Sequence, residues 1–173
     1  MPVPLNFGLQ FAMSLLVFTL LAKWYAWPYL QTRSSKHAIL LLLSPFLLRY
    51  LGLISLVPGV VDPAVTQSPF AFYQAYGDFL AFLLAFVAFL FVRYDRKFAL
   101  ATVWLFNVFG TFDFLHSVIR GTVAGTGGGL GAFWYIPVVY VPFGLVVHIL
   151  IFCVLLTQSR AVPESHSSSS LIA

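Results

Sequence analysis

Five long apolar runs dominate the chain, and each lasts for roughly the 20 residues that an α-helix needs to cross a lipid bilayer. Each run is apolar around most of its circumference, which is typical of helices that face lipid on several sides. The pattern predicts an all-α, polytopic transmembrane bundle, formed as a single domain over residues 1–158. Its five predicted spans are residues 5–30, 37–57, 70–92, 98–119 and 133–156.

The segments outside the runs are short, apart from a glycine-rich connection at residues 120–132 and the C-terminal segment. The connection matches neither the dinucleotide-binding fingerprint nor the P-loop. Its composition favours a flexible linker, with a lid over neighbouring polar residues as the alternative. Residues 159–173 contain four consecutive serines and no apolar periodicity, so we predict a disordered cytoplasmic tail there.

The composition supports membrane insertion and argues against other classes. Hydrophobic residues make up 61% of the chain and charged residues 8%, whereas about a quarter of a soluble protein is charged. The lipid bilayer is therefore the expected partner. The net charge of +4 does not indicate nucleic-acid binding, because the basic residues are scattered near the ends of the apolar runs. Cys153 is the single cysteine, which excludes a disulfide within the chain.

Basic residues also predict the orientation of the chain in the membrane. Cytoplasmic loops are enriched in Lys and Arg, and one side of the five-span arrangement carries nearly all of them. Arg120 and the terminal amine fall on the other side. We therefore expect the N-terminus outside and the C-terminus in the cytoplasm. The basic residues on the predicted cytoplasmic side are Arg33, Lys36, Arg93, Arg96, Lys97 and Arg160.

Ionisable residues inside the spans are the candidates for function, since a charge at the membrane centre costs at least about 2.5–3.5 kcal/mol. With a helical rise of about 1.5 Å per residue, Arg49, Asp78, Asp113 and Tyr140 lie about 12, 12, 9 and 10 Å below the outer ends of their helices. His116 follows Asp113 by three residues, a spacing at which two side chains can interact. The sequence thus predicts one outward-side ligand- or ion-binding cluster formed by these five residues.

Asn107 and His148 are secondary candidates, because they are polar and lie near mid-depth on two different runs. A bis-histidine haem does not fit, since His116 and His148 lie about 5 and 22 Å below their outer ends. No metal-ligand cluster is evident, and neither H-E-x-x-H nor G-x-S-x-G occurs. No cofactor or metal is therefore indicated. An enzyme that uses Asp113 and His116 as acid and base ranks last.

Two functions remain from different classes. In the first, the polar cluster binds an ion, a proton or a small polar ligand from the outer side, for transport or sensing. In the second, the chain is a non-catalytic structural or accessory subunit whose polar cluster only stabilises helix packing, within itself, a homo-oligomer or a complex with other membrane subunits. A cavity at the cluster would favour the first, and dry pairing of every charge would favour the second.

Three segments resemble a group of small bacterial multi-pass membrane proteins. They are Tyr76-Gly77-Asp78, the stretch from Trp104 to Asp113 that includes Asn107 and Gly110, and the stretch from Ile136 to His148 with its two prolines. The resemblance covers the later part of the chain and brings no activity with it. It implies a bacterial cytoplasmic (inner) membrane.

Overall fold

A computed structural model describes residues 2–160 of the chain, with side chains to residue 157. The predicted all-α fold with five helices of membrane-spanning length and composition is confirmed within this range. The predicted tail lies almost entirely outside the described residues, and the orientation stays a prediction. The five helices are α1 (Val3–Gln31), α2 (Ser35–Leu56), α3 (Pro69–Arg93), α4 (Ala99–Val123) and α5 (Gly131–Thr157).

Local sequence signals fix where α2 and α3 begin. The Ser34 hydroxyl accepts a hydrogen bond from the His37 amide at 3.4 Å, and the Ser68 hydroxyl accepts one from the Ala71 amide at 3.3 Å. Serine before the first turn satisfies amides that have no partner within the helix. Pro69 at the first position of α3 supplies the required φ without losing a hydrogen bond.

Prolines accompany two departures from regular α geometry. α1 contains a π-helical turn at Ala22–Ala26, and α5 contains another at Ile136–Tyr140. Each turn ends two residues before a proline, Pro28 or Pro142. A proline ring clashes with the carbonyl four residues earlier, and a wider turn accommodates it while the helix continues. Before its π-helical turn, α5 begins with a 3₁₀ turn at Gly131–Trp134, and after it the chain is α-helical over Val141–Arg160, three residues beyond the span as bounded above.

The second half of α2 is a 3₁₀-helix over Ser44–Leu56, which is 13 residues long where three or four are usual. Because three residues complete each turn, every third side chain lies on one straight line. An α-helix would rotate each of these positions by 60° relative to the last. The buried residues of the segment follow that line: Phe46, Arg49, Gly52 and Ser55.

α3 packs between α2 and α4. The alanines among its buried residues include Ala75, Ala81, Ala85 and Ala88, all completely buried, and these small side chains allow neighbouring helices to approach closely. Asp78 lies on the same buried face. Small residues therefore line the face of α3 that packs against its neighbours.

α1 lies at the edge of the bundle. Over Val3–Leu21 it buries none of its side chains. It is attached mainly to α5, and Trp134 donates a hydrogen bond from Nε1 to Oε1 of Gln10 at 2.8 Å. We call the end of the bundle where α1 begins and α4 ends the glycine-rich end. The opposite, basic end carries an exposed ion pair between Lys36 and Asp95 at 2.5 Å.

Candidate functional site

Arg49 joins three helices through its guanidinium group. Its Nε and Nη2 donate to Oδ1 of Asp78 at 3.0 and 2.7 Å, Nη2 also pairs with Oδ2 of Asp113, and Nη1 donates to the Gly110 carbonyl at 3.3 Å. The Arg49 side chain is 0% exposed. We call Arg49, Asp78 and Asp113 the Arg49 cluster. These three of the five predicted site residues are in direct contact.

Charge is unequal within the cluster, since two carboxyl groups face one guanidinium. With both acids ionised the formal charge is −1, which a low-dielectric interior tolerates only when hydrogen bonds or a further positive charge compensate for it. The guanidinium itself is also stabilised by the ring of Phe114, whose centroid lies 3.7 Å from Cζ of Arg49. The carboxyl side chains keep 9% and 10% exposure, so they form the edge of the cluster.

Two glycines make room for the acidic side chains. A Cβ atom on Gly52 of α2 would overlap the carboxyl group of Asp78, and a Cβ atom on Gly77 of α3 would overlap that of Asp113. Each carboxyl group therefore packs directly against the backbone of a neighbouring helix. Sequence reasoning missed these glycines, although Gly52 follows Arg49 by three residues and Gly77 precedes Asp78.

A third glycine, Gly110 of α4, supports Arg49 and His148 together. A Cβ atom there would lie 2.7 Å from Cε1 of His148 and 3.1 Å from Nη1 of Arg49. Nδ1 of His148 lies 2.6 Å from Oδ1 of Asn107, whose amide nitrogen donates to the His148 carbonyl at 3.2 Å. The two secondary candidates of the sequence are therefore in contact with each other. Since Oδ1 of Asn107 can only accept, Nδ1 carries the proton and Nε2 is an acceptor, buried and without a partner among the described residues.

Two predicted members of the cluster lie elsewhere. The Tyr140 hydroxyl donates to the Pro45 carbonyl at 2.9 Å, and its ring meets that of Phe114 edge-on, so it supports the cluster from outside. His116 is exposed, and its ring stacks on that of Phe112 with 5.7 Å between the ring centroids. The expected interaction of His116 with Asp113 is wrong, because Asp113 faces Arg49 and the 60° offset of a three-residue step turns His116 out of the bundle.

The different locations of the two histidines also argue against a haem or another ligand held by both. His116 is on the surface and His148 is enclosed by Phe46 and Phe106, so the two rings share no site. Within the residues that the structure describes, no three His, Cys, Asp or Glu side chains are grouped so that they could hold a metal ion.

A partly enclosed cavity of about 310 Å³ lies at the glycine-rich end of the bundle, next to the Arg49 cluster. Its wall is mostly apolar, and of the five predicted site residues only Asp78 lines it. The aromatic residues of the wall are Phe7, Phe70, Phe114 and Phe133. Its polar residues are Gln74, Asp78, Ser117, Thr122 and Thr126.

Gln74 is the site residue that sequence reasoning missed. Its Nε2 donates to Oδ2 of Asp78 at 2.5 Å, and its Oε1 is buried without a hydrogen-bond partner in the described part of the chain. A carboxylate can only accept, which fixes the amide nitrogen on the Asp78 side and leaves the oxygen free. The available signal was its position four residues before Asp78, on the same helix face.

The glycine-rich connection closes over the cavity as a folded segment, which we call the glycine cap (residues 125–131). Thr126–Gly129 forms a 3₁₀ turn, and the Gly129 carbonyl accepts a hydrogen bond from the Asp62 amide at 2.8 Å. Gly131 has φ +52°, and a Cβ atom on it would lie 2.5 Å from the Val60 carbonyl oxygen. Glycine is thus required for close approach, and the segment is more ordered than the predicted flexible linker.

Five helices of membrane-spanning length, packed around a buried charged cluster, place the chain in the class of multi-pass helical membrane proteins. The chain belongs to the family described as Domain of unknown function (DUF8737), whose model matches residues 6–156. That range includes the Arg49 cluster, Gln74, His148 and the glycine cap. No curated protein and no solved structure matches the chain.

Proposed function

We propose that this protein binds a small ligand in the cavity at its glycine-rich end, from the outer side of a bacterial cytoplasmic membrane, for sensing or transport. The observation that carries the proposal is that Asp78 belongs both to the cavity wall and to the Arg49 cluster. A cavity of about 310 Å³ is at the lower end of the roughly 300–1,000 Å³ that small-molecule sites occupy.

The side of entry follows from the distribution of basic residues. Lys36 and Arg93 lie at the end of the bundle opposite the cavity, and the positive-inside rule assigns that end to the cytoplasm. The cavity then opens towards the outside. Basic residues near the glycine-rich end are few, with Arg120 in the last turns of α4.

Because Asp78 belongs to both the cavity wall and the Arg49 cluster, a ligand in the cavity would change the hydrogen bonds of the cluster. Asp78 accepts two hydrogen bonds from Arg49, and Arg49 also holds Asp113 and the Gly110 carbonyl. A ligand that competes for Asp78 alters how Arg49 divides its hydrogen bonds between α3 and α4. Arg49 then has one arrangement of hydrogen bonds with the ligand and another without it. Binding can be signalled to the cytoplasmic side only if the ligand has a different affinity for each arrangement.

The complete burial of Arg49 favours a second candidate, a structural or accessory subunit. In that case the Arg49 cluster only holds α2, α3 and α4 together, and the cavity admits no ligand. The proposals differ in whether water and solutes reach Asp78. A catalytic role has less support than either, because His116 does not share a site with Asp113.

Cysteine accessibility tests the proposal. In a Cys153→Ala background, Ser117→Cys places a thiol in the cavity wall, and Thr111→Cys places a matched thiol on α4 outside that wall. Thiolates react, and they form where water is present. We expect a membrane-impermeant methanethiosulfonate reagent, added to intact cells, to modify Ser117→Cys rapidly and Thr111→Cys slowly.

Equally slow reaction of both thiols would contradict the proposal and favour the structural candidate. Rapid reaction of Ser117→Cys only in inverted vesicles would overturn the orientation. Modification of the two variants in detergent-denatured protein is the control that both thiols are intact.

A further inference from the structure

We infer that the cavity selects an organic ammonium ion, a small molecule with a protonated amine and an apolar, preferably aromatic, body. The inference rests on the proposed function and adds the chemical class of the ligand. It depends on which polar atoms the wall offers and on what the remainder of the wall is made of.

Among the described residues, the wall carries one acidic side chain and no basic one. Asp78 is the acid, and neither Arg49 nor Arg120 is among the residues that line the cavity. Arg49, below the wall, is shared with a second carboxyl group, so its charge does not neutralise both. A cation in the cavity would compensate for the remaining negative charge, and an anion would be repelled.

Three of the polar side chains in the wall donate their hydrogens to other groups in the described part of the protein, and the Ser117 hydroxyl is the exception. Gln74 donates to Asp78, the Thr122 hydroxyl donates to the Val118 carbonyl at 2.8 Å, and the Thr126 hydroxyl donates to the Gly121 carbonyl at 3.1 Å. Lone pairs on these groups remain, and Oε1 of Gln74, a residue of the wall, is a buried acceptor without a partner among the described residues. A ligand that brings donors complements this wall, and an ammonium group brings up to three.

The apolar wall determines the rest of the ligand. Phenyl rings of Phe7, Phe70 and Phe133 surround the space, and aromatic faces attract organic cations. A bare metal ion is less suited to this wall, because hard cations are usually held by several charged ligands and Asp78 is the one carboxyl group among its described residues. The volume equals that of about ten water molecules at roughly 30 Å³ each, which suits one ring with a short chain.

A series of three ligands of similar size tests the inference on the full chain in nanodiscs of phosphatidylcholine, a lipid without net charge. The probes are 2-phenylethylammonium, 2-phenylethanol and 3-phenylpropanoate, and the readout is the saturable rise of the midpoint of thermal unfolding with ligand concentration. We expect stabilisation by the ammonium compound at a concentration at least about tenfold below that for the alcohol, and none by the carboxylate.

Gln74→Leu removes the free acceptor while keeping the size of the side chain, and we expect it to weaken ammonium binding about tenfold. Gln31→Leu, an exposed position at the basic end, is the matched control and should leave binding unchanged. Asp78→Asn should abolish the preference for the cation. Because that variant also disturbs Arg49, the ligand series and Gln74→Leu test the inference independently of whether it folds.

Three results would overturn the ammonium assignment: equal stabilisation by amine and alcohol, preferential stabilisation by the carboxylate, or ammonium binding that Gln74→Leu leaves unchanged. If Ser117→Cys is accessible but no amine binds, the proposed ligand class is wrong, and the proposal of a water-accessible cavity keeps its support. If Ser117→Cys is inaccessible and no ligand binds, the proposed function fails as well.

Discussion

The Arg49 cluster and the cavity share Asp78 but are built in opposite ways. In the cluster, every charged group has a partner, and glycines allow the acidic side chains to pack directly against the neighbouring helix backbones. In the cavity, apolar side chains stand apart and a buried amide oxygen of Gln74 is left without a partner in the described chain.

The difference shows how one polar group can serve two purposes. Pairing with Arg49 offsets the cost of placing Asp78 among membrane helices, and its position in the cavity wall places it beside a possible ligand. Residues of the cluster should therefore determine stability, and residues of the cavity should change binding with little effect on stability. The three predictions below test this division, from the largest expected effect to the smallest.

Arg49→Met should destabilise the protein most. It leaves two carboxyl groups facing each other without a cation, and breaking a buried pair in this way costs about 3–5 kcal/mol. Titration with sodium dodecyl sulfate in mixed micelles, followed by circular dichroism, measures the loss. Arg33→Met at the exposed basic end is the control and should change the free energy of unfolding by less than about 1 kcal/mol. A similar small loss for both variants would mean that the cluster does not hold the helices together.

Gly110→Ala should destabilise by about 2–3 kcal/mol, because the new methyl group would lie 2.7 Å from the His148 ring and force it against its phenylalanine neighbours. Gly8→Ala in α1 is matched in chemistry, but no atom lies within 4 Å of its new methyl group. It should be neutral or stabilise the protein by up to about 1 kcal/mol. Thermal unfolding in one detergent compares the two, and equal midpoints would contradict close packing at Gly110.

Gly129→Ala should have a smaller effect, about 1 kcal/mol, because its methyl group would meet Val65 at 2.8 Å and Asp62 at 2.9 Å in the glycine cap. Gly128→Ala, one residue earlier, meets nothing within 4 Å and should change stability by less than about 0.5 kcal/mol. Limited proteolysis of the connection is the second readout. Faster cleavage in Gly129→Ala than in Gly128→Ala is expected, and equal cleavage would favour the predicted flexible linker.

The helices could be predicted from the sequence because length and apolarity alone identify a membrane-spanning run. The meeting of Arg49, Asp78 and Asp113 followed from counting residues from the helix ends. The count for Arg49, however, assumed the rise of an α-helix where the structure has a 3₁₀-helix. At the 3₁₀ rise of about 2.0 Å per residue, Arg49 lies about 16 Å from Val57 and not about 12 Å. Its long side chain covers the difference.

The direction in which a side chain points around its helix was harder to predict than its depth in the membrane. His116 and Tyr140 have the right level, but a 60° offset turns His116 outward, and the π-helical turn at Ile136–Tyr140 changes the direction of Tyr140. Gln74 and Gly110 matter because of what lies opposite them on other helices. A single sequence does not contain that pairing, so these residues became visible only with the contacts.

The 3₁₀ segment of α2 has a consequence for insertions and deletions. One residue added to or removed from Ser44–Leu56 rotates everything beyond it by 120°, which would take Gly52 and Ser55 off the line that Phe46 and Arg49 begin. The side chains between these positions are exposed or only half-buried. The number of residues in this segment is therefore a stricter requirement of the fold than the identity of most of them.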